Sequence, residues 1–308
     1  MELTTNYSNA AIIVIYFPNE NLLEKLLSSI YGTVHIIYII DNTPVADISF
    51  INNDWFELHN FKVTYIQLKE NLGIAYAQNI GIKCAASDAC SHVIFFDQDS
   101  EASFGLVGKL LKEEKRLLSS GINVGTIGPS FFDTKTQEYA PVITHGYFLI
   151  NRKKITSVTS PSTQADYVIS SGSLTRICVY ERIGGLLDDL FIDWVDIEWC
   201  LRAKRMGYKN YIVPAAKMQH CIGDAYVKTP IRNINIHSDF RNFYIVRNAC
   251  YLLRYGHMGA SWSRNIFLKI PMYIIFYSVT SSKKWYAFKL LLKAARDGFQ
   301  GRMGKVVI

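Results

Sequence analysis

Short runs of hydrophobic residues alternate with segments of helical periodicity in the first third of the chain. Continuous apolar runs occupy residues 11–17, 34–40, 63–67 and 93–96, and apolar residues at helical spacing occupy residues 21–30 and 72–86. Runs of the first kind are typical of strands that are buried on both faces of a parallel sheet. The alternation therefore predicts a doubly wound α/β fold, in which ligands bind at the carboxyl ends of the strands.

A polar residue or a proline follows each of these predicted strands. Pro18, Asp41, Asn71 and Asp97 all fall at such ends, which indicates a nucleotide site at one edge of the sheet. Neither a G-x-G-x-x-G sequence nor a Walker sequence follows the first strand, so the two common phosphate-binding loops are absent. The sheet must hold a nucleotide in another way.

The fourth strand, which begins after a half-buried His92, ends in two carboxylates one residue apart, Asp97 and Asp99. Residues i and i+2 of an extended segment point to the same side. Two such carboxylates are costly at the end of a buried strand unless a positive charge lies there. A divalent cation bound to a diphosphate would supply that charge, because hard cations prefer oxygen ligands. The alternative explanation is a solvated turn after the strand, because the D-x-D pattern by itself fits such a turn as well.

Residues 71–81, NLGIAYAQNIG, combine Gly73, which permits a close turn, with the small residues Ala77 and Gly81 on one helix face. Such a face can approach either a ligand or the sheet closely. Tight helix–sheet packing without a ligand is therefore the alternative.

The middle of the chain continues the α/β pattern less regularly. It predicts a helix at residues 106–118, and it predicts strands at residues 124–129, 146–150, 167–173 and 211–213. Residues 151–164 are rich in Lys, Ser, Thr and Pro. This composition predicts a flexible surface loop that could border a binding cleft.

Residues 191–207, FIDWVDIEWCLRAKRMG, predict a further helix, which Asp193 is positioned to cap. Glu198 and Arg202 are spaced i and i+4 in the favourable order and predict a structural ion pair. Asp196 has no such partner, since Cys200 occupies its i+4 position. An acidic residue in the first turn ordinarily compensates the helix dipole, and it is also where a catalytic base is easily held.

The C-terminal part mixes basic and aromatic residues. The helix predicted at 238–254 carries Arg241 among aromatic side chains, a mixture that suits nucleic acid, a membrane interface or a diphosphate. Residues 266–279, interrupted at Pro271, predict a helix pair that lies in a membrane interface or packs on the domain. Residues 282–298 have the composition of a membrane-surface helix, with a helix packed on a soluble core as the alternative. Basic residues beside apolar runs disfavour nucleic acid.

Composition adds further limits. The 308 residues, 49% of them hydrophobic and with a net charge of +7, suit one large globular domain with an appendage. The six cysteines include no C-x-x-C pair, so reduced cytosolic thiols are expected rather than a zinc knuckle or a redox dithiol. We expect no signal peptide, because no basic region precedes the first apolar run, and no apolar run is long enough to cross a membrane.

Several segments follow one another along the chain in this order: IIVIYFP, Asp41-Asn42, NLGIAYAQNIG, DQDS and FIDWVDIEWCLRAKRMGYK followed by a histidine. As an ordered set they resemble the motifs of the inverting GT-A glycosyltransferases of family two. The resemblance covers residues 11–254 and is strongest to bacterial rhamnosyltransferases that use dTDP-L-rhamnose. It implies a GT-A-type, Rossmann-like mixed sheet, mainly parallel and flanked by helices. The processive members carry Q-x-x-R-W and several transmembrane helices, which are not found here, so we expect one sugar per acceptor.

The resemblance implies a general base at Asp196. The family often has an acidic residue before it, where this chain has Val195, and Asp193 and Glu198 are therefore the alternatives. The resemblance implies that six residues contact the nucleotide sugar: Asp41, Asn71, Gly73, Asn79, Asp97 and Arg241. It implies Mg²⁺ or Mn²⁺ held by Asp99, the principal ligand, with His220 and Asp97.

The resemblance also implies partners and a location. We expect a transferase domain at residues 1–236 and a helical segment at residues 237–308 that associates with the acceptor and the membrane. The acceptor is expected to be a lipid-linked oligosaccharide of surface polysaccharide such as O antigen, reached from the cytoplasmic face of the membrane without a spanning helix. The alternatives are another donor, such as a UDP-hexose or UDP-galactofuranose, and a non-catalytic nucleotide-sugar-binding membrane protein.

Overall fold

A computed structural model describes residues 8–45, 51–133, 138–146, 150–219, 225–228, 233–256 and 258–306. The first strands and helices follow the predicted alternation, with one helix, α2, that was not predicted: β1 Asn9–Ile15, α1 Glu20–Ile30, β2 Ile36–Asp41, α2 Asn53–Leu58, β3 Thr64–Gln67, α3 Ile74–Ser87 and β4 His92–Asp97. The middle of the chain adds β5 Glu101–Ala102, α4 Leu106–Ser119, β6 Val124–Asp133, β7 Glu138–Tyr139, β8 Val142–His145, β9 Ile150–Lys153, β10 Thr163–Ala165 and β11 Leu174–Arg176. The last part contains α5 Ile177–Ile183, α6 Val195–Arg205, β12 Lys209–Gln219, β13 Ala225–Lys228, β14 Asn233–Ile236, α7 Asp239–Tyr255, α8 Ala260–Thr280 and α9 Lys284–Phe299.

The main sheet is mixed and mainly parallel, as predicted. Its strand order is β10-β12-β6-β11-β4-β1-β2-β3. The first four strands of the chain are parallel, whereas β11 runs antiparallel between β4 and β6. In the register of β1, Ile15 faces Asp41 and Val14 faces Asp97. The two acidic residues therefore flank the end of β1.

Helices cover both faces of the sheet because the central strands are apolar on both sides. Ile13 and Phe96 face a core that includes α1, α2 and α4. Ile12 and Phe95 face the other core, which includes α3, α5, α6 and the three C-terminal helices. Residues on both sides of position 236 thus share one hydrophobic cluster.

Three strand predictions differ from the structure. Residues 167–173 form no strand, because Ser170 N–H donates to Asp196 and backbone pairing with β4 begins only at Gly172, whose N–H donates to the Phe95 carbonyl. Gly146 follows the strand β8 of a β8–β9 hairpin rather than starting a strand, and residues 147–149 lie outside the described part. The strand predicted at 211–213 is much longer, since β12 pairs along β6 as far as Gln219.

The predicted C-terminal helix pair is wrong, because α8 is one helix with Pro271 inside it. Proline removes one backbone hydrogen bond from a helix. Pro271 lies on the exposed side, where the carbonyl that loses its bond can be hydrated. Within the described residues, no helix is both long and apolar enough to cross a membrane.

Candidate active site

The carboxyl edge of the sheet brings the strand-end residues together. Asp97 N–H donates to Ser171 Oγ at 3.0 Å, and Ser171 Oγ lies 2.8 Å from Ser100 Oγ. The amide of Gln98 continues the pairing with β1, since it accepts from Tyr16 N–H and donates to the Tyr16 carbonyl. These bonds fix the turn that carries Asp97, which is partly buried, and Asp99, which is exposed.

Asp41 is completely buried at the end of β2. Its Oδ1 accepts from Thr43 N–H at 2.9 Å and its Oδ2 accepts from the Tyr65 hydroxyl at 2.5 Å. The pKa of Tyr65 is raised above its ordinary value, first by burial and then by this hydrogen bond. Both carboxylate oxygens therefore stabilise the loop after β2, and the contact of Asp41 with a nucleoside stays a prediction.

Asn71 and Gly73 belong to a second hydrogen-bonded turn. Asn42 donates to Asn71 Oδ1 at 3.0 Å and accepts from Leu72 N–H at 2.8 Å. Gly73 has φ +89°, and a Cβ there would lie 2.7 Å from both the ring and the carbonyl of Phe191. Only glycine fits this contact, so Gly73 allows the 191 region to approach α3.

Asn79 lies further along α3, six positions after Gly73. Its amide donates to the Leu186 carbonyl and to Asp188, and it accepts from Leu186 N–H at 2.9 Å. These bonds give Asn79 a structural role in holding the segment before α6. Its predicted contact with the donor stays untested.

The segment before α6 has an unusual backbone. Phe191, Asp193 and Trp194 all have positive φ, at 64°, 62° and 69°. This region is costly for residues other than glycine and is typical of functional sites. The predicted capping by Asp193 is wrong, because Trp194 is the N-cap and makes no side-chain cap bond. Asp193 instead pairs with Arg241, whose Nε and Nη2 lie 3.0–3.2 Å from its oxygens.

Helix α7 holds this left-handed segment in place. Asn248 donates to the carbonyls of Leu190, Ile192 and Asp193 at 2.9–3.1 Å. Arg247, completely buried, donates to the carbonyls of Asp189 and Leu190, and burial lowers its pKa to about 10. The mixture of basic residues, Arg247 among them, with aromatic residues predicts a ligand or membrane surface for this helix, but Arg247 is buried and has a structural role. The sequence predicts no role for Asn248.

Asp196 lies in the first turn of α6, just after the left-handed segment. It accepts from Ser170 N–H at 3.1 Å and from Ile197 N–H at 2.8 Å. Burial raises its pKa to about 6, and the negative charges of Asp193 and Asp97 act in the same direction. In the part of the chain that the structure describes, no cation forms an ion pair with Asp196.

The other acidic positions have distinct surroundings. The predicted Glu198–Arg202 pair is confirmed, with two bonds of 2.9 and 3.0 Å. His92, expected to be half-buried, is buried, and its Nε2 lies 2.7 Å from Glu114. Asp97 and Asp99 offer oxygen ligands on one turn, but His220 lies outside the described residues. Among the residues that are described, no group of three or more potential ligands forms a metal site.

Three comparisons agree with this architecture. The family model described as glycosyl transferase family 2 matches residues 11–166. The dTDP-rhamnosyl transferase RfbF of Shigella flexneri is 32% identical over 302 residues, which covers 96% of this chain and 96% of that protein.

Solved structures with the same fold have low sequence identity to this chain. The structure of S. aureus TarS 1-349 in complex with UDP-GlcNAc has a TM-score of 0.57 at 12% identity, covering 96% of this chain and 82% of that one. The structure of GalNAc-T7 with UDP, GalNAc and Mn2+ has a TM-score of 0.56 at 14% identity, covering 91% of this chain and 58% of that one. This chain therefore spans less than two thirds of GalNAc-T7.

Proposed function

We propose that this chain, which belongs to glycosyl transferase family 2, is an inverting rhamnosyltransferase that takes L-rhamnose from dTDP-L-rhamnose. The observation that carries the proposal is the near full-length match to a dTDP-rhamnosyl transferase. The arrangement of Asp97 and Asp196 at one edge of the sheet supports it, because inversion needs a base on one side of the sugar and a held leaving group on the other.

In the proposed reaction Asp196 is the general base. Its carboxylate takes the proton of an acceptor hydroxyl while that oxygen bonds to the anomeric carbon, and the bond to the diphosphate breaks on the opposite face. A base is most effective when its pKa lies near the operating pH. A pKa of about 6, due mainly to burial, leaves Asp196 ionised at neutral pH and still able to accept a proton.

We propose that Asp99 and Asp97, together with His220, hold Mg²⁺ or Mn²⁺. Carboxylate oxygens suit these ions, and the charge of Asp97 adds to the negative field that raises the pKa of Asp196. A bound cation would neutralise charge on the leaving diphosphate. GalNAc-T7, which has the same fold, was solved with UDP and Mn2+.

We propose that the acceptor is a lipid-linked glycan of surface polysaccharide such as O antigen, met at the inner face of the cytoplasmic membrane by residues 237–308. An apolar row on α8 supports membrane contact, since each of its members is more than half exposed: Phe267, Leu268, Met272, Ile275 and Val279. On α9, Lys284, Lys289 and Lys293 are exposed beside Trp285. Apolar side chains flanked by lysines are typical of a surface that binds anionic lipid.

The test is hydrolysis of dTDP-L-rhamnose, UDP-glucose and UDP-galactofuranose by the full chain, with Mn²⁺ and with a chelator. We expect hydrolysis of dTDP-L-rhamnose above the UDP sugars, and only with the metal. Preference for a UDP sugar would contradict the proposed donor. Saturable nucleotide binding without turnover of any sugar would favour the non-catalytic alternative.

A further inference from the structure

Residues 302–306, here called the strap, lead from the end of α9 back to the segment before α6. Gly304 N–H donates to the Asp189 carbonyl at 2.9 Å, and the Gly304 carbonyl accepts from Arg247 Nη1 at 2.5 Å. Met303 packs against the hydrophobic cluster to which the segment before α6 also belongs. That segment is therefore bonded to the strap as well as to α7.

The buried guanidinium of Arg247 joins the strap to this segment. Its Nη1 donates to the Gly304 carbonyl, whereas its Nη2 donates to the carbonyls of Asp189 and Leu190 at 3.2 Å. Loss of an acceptor is costly for a buried cation, because water is not there to replace the bond. Detaching the strap would take the Gly304 acceptor away from Nη1, so the strap and the segment should stay in place together.

An aromatic ring forms a second connection between the strap and the segment. Val306 N–H donates to the hydroxyl of Tyr244 at 2.9 Å. The ring of Tyr244 stacks on Phe191 with the centroids 4.9 Å apart. Phe191 is the first of the three residues with positive φ that precede Asp196. The strap therefore supports the left-handed segment where that segment begins.

The strap also reaches the turn at the start of α3. Lys305 Nζ lies 3.5 Å from a carboxylate oxygen of Glu70, and Glu70 directly precedes Asn71, an expected donor contact. Both side chains are exposed, so the ion pair itself contributes little to stability. Its value is as a marker of position, since it places the strap beside the expected nucleotide turn as well as beside the segment that leads to Asp196.

We propose that the strap is a positioning element that holds the left-handed segment, and with it Asp196, in the geometry that the reaction needs. The inference rests on the proposed role of Asp196 as general base. Residues with positive φ persist only when their surroundings over-determine them, and a small displacement of a catalytic group is costly. A loosened strap should therefore lower turnover and leave nucleotide affinity unchanged, because Asp97 is held by strand pairing.

The first test is Gly304→Val in the full chain. Gly304 has φ +80°, and an added Cβ would have no described atom within 4 Å, so the substitution strains the backbone of the strap without a clash at Cβ. Gly121→Val is the matched control, because Gly121 has φ +75°, has equal space and lies before the amino end of β6.

Hydrogen–deuterium exchange, turnover and dTDP calorimetry are compared in the two variants. In Gly304→Val we expect faster exchange in the peptide 189–197 but not in the peptide 92–100. We expect kcat to fall about tenfold or more, with dTDP affinity close to wild type. Gly121→Val should match the wild type in the exchange of both peptides and in kcat.

A second pair of variants removes one hydroxyl and keeps the ring. Tyr244→Phe loses the acceptor of Val306 N–H but keeps the stacking on Phe191. Tyr38→Phe is its control, since Tyr38 is a buried tyrosine whose hydroxyl donates to Asp88. Tyr244→Phe should change exchange and kcat in the same direction as Gly304→Val, by a smaller amount. It decides the comparison if Gly304→Val does not fold.

Unchanged exchange in the peptide 189–197, or a kcat equal to that of the matched controls, would overturn the inference. A fall in dTDP affinity as large as the fall in kcat would also overturn it, because the strap would then support the whole site rather than Asp196. Failure of the proposed function is distinguished by the wild type, which would not hydrolyse dTDP-L-rhamnose. The exchange comparison needs no substrate and tests the strap in either case.

Discussion

Asp97 and Asp196 lie in the same site but are held there by different means. Asp97 follows directly from a buried strand, and its register is set by pairing with β1. Asp196 follows a left-handed segment whose carbonyls are bound by Asn248, 55 positions beyond Asp193. The comparison shows that one acidic residue is positioned by the pairing of adjacent strands in the sheet, whereas the other depends on side chains of a helix that packs against its segment.

This difference has an energetic reason. A residue in a sparsely populated backbone region costs about 1–3 kcal/mol and persists only when its surroundings over-determine it. Three such residues precede Asp196, and Asn248, Arg247 and Arg241 supply the compensating bonds. Helix α7 therefore positions Asp196, just as the sheet positions Asp97.

The largest expected effect comes from removing the proposed base. Asp196→Asn should lower turnover by roughly 10²–10⁴-fold, the usual contribution of general base catalysis, with dTDP affinity close to wild type. Transfer rates and calorimetry with dTDP would measure both. Glu198→Gln is the control, and it should mainly lower stability by losing its pair with Arg202. An inactive Glu198→Gln with an active Asp196→Asn would show that the base is assigned wrongly.

The second prediction removes the hydrogen bonds by which Asn248 of α7 holds the segment before α6. Asn248→Ala removes the side-chain donor to the carbonyls of Ile192 and Asp193, whereas the Leu190 carbonyl keeps its bond from Arg247. We therefore expect a loss of about 2 kcal/mol in the free energy of unfolding. Turnover should fall by roughly 10²-fold, because small displacements of a catalytic group are costly, while dTDP affinity changes little. Asn265→Ala is the matched control, since Asn265 is buried in α8 and its Oδ1 has no hydrogen-bond partner within the described residues. Equal turnover in the two variants would contradict a positioning role for Asn248.

The third prediction concerns the strand-end carboxylate. Asp99→Ala should remove the metal-dependent part of the dTDP affinity. We expect the affinity measured with Mn²⁺ to fall at least about tenfold, which is typical of mutations close to a metal site. Calorimetry with Mn²⁺ and with a chelator gives the comparison. Glu24→Ala, an exposed acidic residue of α1, changes the net charge equally and should have no effect. Unchanged affinity of Asp99→Ala in both conditions would remove Asp99 from the metal site.

The fourth prediction uses the pKa of Asp196, which burial raises from 3.8 to about 6. Because the base must be ionised, kcat/KM should fall about tenfold per pH unit below that value.

The stability of the fold should change with pH in the opposite direction. The folded state binds the proton of Asp196 more readily than the unfolded state, so the free energy of unfolding should decrease as pH rises from 3.8 to about 6. A wild-type pH–rate profile with no acidic limb near pH 6 would contradict the assignment.

The smallest expected effect concerns the membrane. The full chain should sediment with anionic vesicles at low ionic strength, should bind neutral ones less, and should be released by salt, which screens surface charge. Phe267→Ser/Met272→Ser/Ile275→Ser should reduce sedimentation several-fold. Leu58→Ser is the control, because Leu58 is an apolar residue of α2 that is even more exposed than these three. Vesicle binding that the triple substitution leaves intact would place the contact elsewhere.

The sequence by itself determined the features that depend on spacing along the chain. Apolar runs predicted β1 to β4, and the residues after them predicted that Asp41 and Asp97 share one edge of the sheet. The i and i+4 spacing predicted the Glu198–Arg202 bond. These features were predictable because strand burial, chain alternation and helical periodicity are local properties, and parallel strands place their ends together.

Only the tertiary structure decided how the site is completed. Gly73 is required by its contact with Phe191, and Asn79 holds the segment at Leu186, so residues that suggested a ligand in sequence are used in packing. Asp193 pairs with Arg241 instead of capping α6. Such contacts join positions that are far apart in sequence, and their geometry is set by the packing of helices on the sheet, for which no local spacing rule exists.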